Sequence, residues 1–132
     1  MKVAYDNAIA HKIEAGADIF LMPSRYEPSG LNQMYSLKYG TVPVVRATGG
    51  LDDSIEDWNG ATKQGTGFKF HAYHGEALYS ALREALDAFK DRDSWRQLML
   101  NGMKKDFSWS RSAREYVKVY ERALQNKAAA ER

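Results

Sequence analysis

The chain has 132 residues, 44% of them hydrophobic and 12% aromatic, with 19 Lys and Arg against 17 Asp and Glu. That composition describes one folded domain or part of one, and with a net charge of only +2 nothing electrostatic demands nucleic acid or an anionic membrane as a partner, so neither is expected. The absence of cysteine removes disulfides and thiolate metal sites and fits a reducing compartment. No apolar run is long enough to span a bilayer, and residues 1–10 lack the basic-then-apolar layout of a secretion signal. These features set the expectation of a soluble, cytoplasmic protein.

In chain order, the segment VAYDNAIAHKIEAG predicts a helix ending at Gly16, with Ala4, Ala8, Ile9 and Ile13 near one face. ADIFLMPS then reads as a strand whose continuous apolar run suits burial on both faces, as in a parallel sheet. From Gly30 to Tyr39 the positions Leu31, Met34, Tyr35 and Leu37 follow helical spacing, and Gly40 supplies a left-handed stop. TVPVVRA predicts a second buried strand, Gly49 and Gly50 turn the chain into a short helix LDDSIEDW, and GFKFHAY is the third strand. The remainder predicts helices. GEALYSALREALDAFK places Leu78, Leu82, Leu86 and Phe89 on one stripe, SWRQLMLNGM follows, and SRSAREYVKVYERALQ is last, with capping-box spacing at Ser112 and Glu115. Residues 1–125 form the folded portion, and 126–132 a polar, alanine-rich tail expected to fray.

Alternation of strand and helix argues for an α/β fold: about three parallel strands with helices on both faces, a partial Rossmann-like three-layer arrangement with a helical C-terminal segment. In such sheets ligands gather outside the carboxyl ends of the strands, where helix N-termini present unpaired N–H groups and partial positive charge. Two such ends occur in succession, at Ser29-Gly30-Leu31-Asn32 and at Thr48-Gly49-Gly50-Leu51. Both are candidate cradles for phosphate or sugar oxygens, and either is also an ordinary turn. Glu27, between Tyr26 and Pro28 at a strand end, is a candidate partner for sugar hydroxyls or developing positive charge; capping the next helix or pairing with Arg25 are its structural alternatives. His11 reads as a hydrogen-bonded interior residue. His71 and His74 have no cysteine or carboxylate cluster to complete a metal site, so no metal is assigned. Tyr5 is either a packing residue or a platform for a base.

The linked blocks PSRYEPSGLNQ and VRATGGLDD, within a stretch running from Val3 to Tyr120, closely resemble the C-terminal domain of bacterial glycogen synthases and plant starch synthases. DFSWSRSAREYVKVYERAL is similar to that family's closing helix. The resemblance implies half of a nucleotide-binding domain of the two-domain GT-B architecture. It implies a retaining hexosyltransferase that moves glucose from ADP-glucose, or sometimes UDP-glucose, to the non-reducing end of an α-1,4-glucan. By position, Glu27 matches the family's active-site glutamate, while Ser29, Gly30 and Leu31 match the turn holding sugar hydroxyls and a phosphate oxygen. Asn32 opens the helix aimed at the diphosphate, and Tyr5 matches the aromatic residue against the adenine. No obligatory metal or cofactor is implied. Protein cations stabilise the leaving diphosphate, which itself can take the acceptor hydroxyl's proton on the same face.

Two positions depart from the pattern. Ser29 stands where many bacterial members have Cys, and Tyr35 stands where related GT-B families repeat a Glu eight positions after the first, which points to the glycogen and starch synthase branch. The acceptor domain and the basic pair that grips the diphosphate have no counterpart in these residues, so the expectation is a fragment without transfer activity by itself. The alternatives are a piece of another GT-B transferase and a stand-alone nucleotide-binding or assembly module. The resemblance also implies that the strand over Asp18–Pro23 sits at the centre of the family's sheet, beside a strand with no counterpart in these residues, so its uncharged Ile19-Phe20-Leu21-Met22 edge is expected to drive self-association, as a homodimer or larger.

Overall fold

The structure is a computed structural model that describes Ala4 and residues 6–130. Its elements alternate from the start: α1 (Asn7–Gly16), β1 (Ile19–Met22), α2 (Asn32–Tyr39), β2 (Val42–Arg46), α3 (Gly49–Ser54) and β3 (Phe68–Phe70). Three helices follow, α4 (Gly75–Lys90), α5 (Arg92–Met103) and α6 (Trp109–Ala130). The strands form one parallel sheet in the order β1-β2-β3, with Ile19 opposite Val42 and Val44 opposite Phe68. The α/β reading, with its three parallel strands, holds.

Side chains on a strand alternate between faces, and β2 uses this fully. Val42 and Val44 enter a core with Phe68, Phe70, Ala81, Ala85, Trp95 and Leu98, closed by α4 and α5. Val45, one residue on, joins Leu37, Leu51 and Ile55 on the opposite face under α2 and α3. The Val-Pro-Val-Val run therefore reflects two cores sharing one strand. α5 belongs to both: Trp95 and Leu98 lie in the first core, and Gly102 sits against Leu37 of the second.

Several helical faces differ from expectation. On α1 the predicted stripe is open, with Ile9 38% and Ile13 66% exposed, and the buried residue is Glu14. Burial raises the Glu14 carboxyl above its ordinary range, opposed by the nearby His11. On α2 the buried residues are Gln33, Ser36 and Leu37, whereas Leu31 and Tyr35 point outward. On α4 the centre of the stripe is Ala81 and Ala85, with Leu86 exposed, because small residues let the helix approach the sheet. Strand β1 is not covered on both faces: Leu21 is 46% exposed, and among the described residues β1 pairs only with β2. Apolar periodicity identifies a face that can be buried; which face is buried depends on what lies opposite.

Helix ends follow local chemistry. Gly40 stops α2 with φ +82°, its N–H bonded to the Leu37 and Ser36 carbonyls. Asp91 caps α5, accepting from the Asp93 and Ser94 amides and, at 2.6 Å, from the Ser94 hydroxyl. α6 begins at Trp109, a turn before the Ser112 capping box, and its first-turn Arg111 amide donates to Ser108 Oγ. It stays helical from Asn126 to Ala130, within the stretch expected as a tail, and buries none of its residues. Among the described residues no helix is long and apolar enough to cross a membrane.

Two substitutions test this packing. Alanine in place of a helical glycine ordinarily favours the helix by about 1 kcal/mol, yet a Cβ at Gly102 would meet Leu37 Cδ2 at 2.8 Å. Gly102→Ala is therefore expected to lower the thermal midpoint by strain in the core; a rise would show that α5 and α2 are not in contact there. Hydrogen bonds from Ser94 hold the Asp91 carboxyl below its ordinary value of 3.8. A depressed carboxylate stabilises the fold above its unfolded pKa and loses that contribution as pH falls through the folded value. Asp91→Ala should thus lower the midpoint at pH 7, and the difference from the unmodified chain should shrink below pH 3.8.

Candidate functional site

Both glycine turns lie at the carboxyl end of the sheet, and they touch. After β1 the chain runs through Pro23–Leu31 before entering α2. Arg46, at the end of β2, fastens the start of this loop: its Nη1 donates to the Arg25 carbonyl at 2.5 Å and its Nε to the His71 carbonyl at 3.1 Å. One guanidinium thereby ties the loops after β1 and β3 together, and it lies 5.4 Å from the centre of the Tyr73 ring.

Glu27 is half-buried in this loop, and its carboxylate has no hydrogen-bond or ion-pair partner among the described residues. It neither caps α2 nor pairs with Arg25. Ser29, Leu31 and Asn32 are exposed beside it, and Gly30 makes the bend with φ +72°. No side chain caps α2 and its first turn contains no carboxylate, so, although the Met34 amide already donates to the Leu31 carbonyl, the positive end of its dipole is open to an incoming anion. Four of the expected site residues, Glu27, Ser29, Leu31 and Asn32, are thus brought together on one exposed turn, with Gly30 at its centre.

The second turn has a different use. Gly50 N–H donates to the Glu27 carbonyl at 3.0 Å, so that amide is turned to the first loop. A Cβ on Gly50 would lie 1.9 Å from the Ser29 carbonyl oxygen, and one on Gly49 2.2 Å from the Glu27 carbonyl oxygen. Glycine is required because backbone meets backbone. Gly49 and Gly50 thus abut the loop carrying Glu27, with the Gly50 amide engaged by it.

Two side chains close the junction. Gln33, fully buried, donates from Nε2 to the carbonyls of Ser29 at 3.0 Å and Gly30 at 3.2 Å and to Ser54 Oγ at 3.2 Å. Ser54 Oγ donates in turn to the Gly50 carbonyl at 2.5 Å. α3 is itself anchored to β3 by Lys69 Nζ, 2.7 Å from Asp52 Oδ1, a hydrogen bond that lowers the Asp52 pKa. Sequence reading missed Gln33, Ser54 and Arg46. The only hint for Gln33 was a polar residue at a position of α2 that later proves to face inward.

Other expectations resolve individually. His11 is partly buried, its Nδ1 3.2 Å from the Tyr39 hydroxyl, with its ring 5.0 Å from that of Tyr35. His74 caps α4 by accepting the Ala77 amide at Nδ1. Tyr5 lies outside the described residues. Beside the first turn opens a cleft of about 740 Å³ whose walls include Ser29, Leu31, Met34, Trp109 and Tyr116.

Comparison with known proteins bears on the family and the fold. The chain is 65% identical over 128 residues to a glycogen synthase of Koribacter versatilis, covering 97% of this chain and 26% of that protein. It is 59% identical over 119 residues to a glycogen synthase of Anaeromyxobacter, covering 90% and 25% respectively. The chain therefore spans about a quarter of the length of these curated relatives. Among solved structures, the catalytic domain of starch synthase IV from Arabidopsis thaliana, bound to ADP and acarbose, superposes with a TM-score of 0.82 at 38% identity, over 93% of this chain and 26% of that one. Residues 4–98 match the family described as glycosyl transferases group 1, and the chain belongs to that family.

Proposed function

We propose that this chain supplies the donor-sugar side of a retaining glucosyltransferase that extends an α-1,4-glucan from ADP-glucose. The observation that carries the reading is a carboxylate without a partner, Glu27, next to the uncapped N-terminus of α2. A nucleotide diphosphate sugar has complementary parts: anionic phosphates for the helix end and hydroxyls for the adjacent turn. In this reading Ser29, Gly30 and Leu31 hold the donor glucose and a phosphate oxygen, Asn32 opens the helix toward the diphosphate, and Tyr5 lies against the adenine. Glu27 contacts the glucose and stabilises the positive charge that grows on it as the bond to the diphosphate breaks. The departing phosphate takes the acceptor proton. The names of the relatives, glycogen synthase and starch synthase, support this substrate pair over another sugar nucleotide, with UDP-glucose as the second donor to compare.

The chain spans only about a quarter of the length of its curated relatives. Incubating the chain by itself with labelled ADP-glucose and glycogen should give no more incorporation than its Glu27→Ala variant. In a full-length glycogen synthase whose corresponding quarter is replaced by this chain, Glu27→Ala should lower kcat on the order of 10²-fold or more, with a much smaller change in donor KM. An unchanged kcat would reduce Glu27 to a structural residue and remove the reading.

The β1 edge adds a proposal about assembly. Among the described residues Ile19-Phe20-Leu21-Met22 pairs on one side only and carries no charged side chain, and Ile9 and Ile13 of α1 are exposed. A second copy of the chain satisfies such an edge by strand pairing. Light scattering on the gel-filtered chain should report a dimer or larger species; a monomer whose Ile19–Met22 amides exchange rapidly would contradict it.

A further inference from the structure

We infer that Gly50 and Ser54 are positioning residues for Glu27, and that the turn after β2 serves as a backbone latch. The inference rests on the reading of Glu27 given above and assigns the second glycine turn a role in that same site. Among the described residues Glu27 has no side-chain partner to orient it, so the place from which it reaches is set by its own main chain. The main chain from residue 27 to residue 30 is held at three points. The Glu27 carbonyl accepts the Gly50 amide, and the Gln33 Nε2 amide shares its two N–H bonds among the carbonyls of Ser29 and Gly30 and the Ser54 hydroxyl oxygen.

The loop is thus gripped from two sides. α2 contributes Gln33, from within the helix the loop leads into, and α3 contributes Gly50. Ser54 Oγ is the one atom joining them, accepting from Gln33 Nε2 and donating to the Gly50 carbonyl. α3 is in turn fixed to the sheet by Lys69 and Asp52 and by its buried Leu51. The grip therefore refers the position of Glu27 to the parallel sheet. A displacement of about 1 Å at a reacting group can lower a rate on the order of 10²-fold, and a contact as close as Gly50 to Ser29 transmits any such displacement directly. The six residues of α3 are a short support whose amide is already bonded, which argues against a second phosphate site there.

The test has two parts. In the chain itself, the Gly50 amide should be protected from hydrogen exchange, and Ser54→Ala should speed its exchange about tenfold or more, with Ser54→Thr restoring protection through the retained hydroxyl. In the full-length synthase carrying this chain, Ser54→Ala should lower kcat about tenfold and Gly50→Ala about 100-fold, with donor and glucan KM changed less than about twofold and Ser54→Thr close to the parent. Ser54→Ala removes a single oxygen, so it remains informative if Gly50→Ala does not fold. If Glu27→Gln abolishes turnover while both latch variants keep the parental kcat, the latch is overturned and the functional reading stands. If Glu27→Gln itself retains turnover, the functional reading fails first. A fall in thermal midpoint with kcat unchanged would make Ser54 merely structural, and overturns the inference.

Discussion

A hydrogen bond between two turns, Gly50 N–H to the Glu27 carbonyl, is the constraint from which the rest of the site follows. It brings the loop after β1 onto the loop after β2 so closely that neither Gly49 nor Gly50 can carry a side chain. Packing main chain on main chain leaves carbonyl groups away from water, and buried carbonyls require donors. Gln33 supplies them from inside α2, which explains why a fully buried position on that helix is an amide. The double-sided burial of β2 serves the same end, since it gives both turns a common rigid base.

The electrostatics of the site follow from what this junction leaves unused. Because the Gly50 amide is engaged, the positive end available to a ligand is that of α2, where neither a cap nor an acidic residue intervenes. Glu27, whose carboxylate has no hydrogen-bond or ion-pair partner among the described residues, lies on the loop that leads into that positive end. Arg46 reinforces the arrangement from below by bonding to carbonyls on both flanking loops. Its charge thus holds the frame in which a donor would sit.

Much of this was legible in the residues. The apolar runs at 19–22 and 42–46 gave the strands, the helix over 75–90 was bounded by its own sequence, and the Glu-Pro-Ser-Gly-Leu-Asn block placed the first turn. What escaped depended on partners distant in the chain. Nothing local distinguishes Gln33, which is buried, from an exposed helical glutamine, because the acceptors that make its burial tolerable include Ser54, in another element. Gly49 and Gly50 announce a close approach, and the sequence alone does not say that the approaching atoms include the carbonyl oxygens of Glu27 and Ser29. The same limit applies to Ile9 and Ile13, whose spacing matched a buried face that the fold leaves open.

The central claim is that Gly50 directly holds the backbone at Glu27, and it can be observed without any substrate. A scalar coupling through the hydrogen bond, measured by NMR between the Gly50 amide nitrogen and the Glu27 carbonyl carbon in the isotopically labelled chain, is the most direct measurement. The account predicts a resolved coupling between those two nuclei. A Gly50 amide coupled to a different carbonyl, or to none while exchanging at the rate of an open loop, would contradict it.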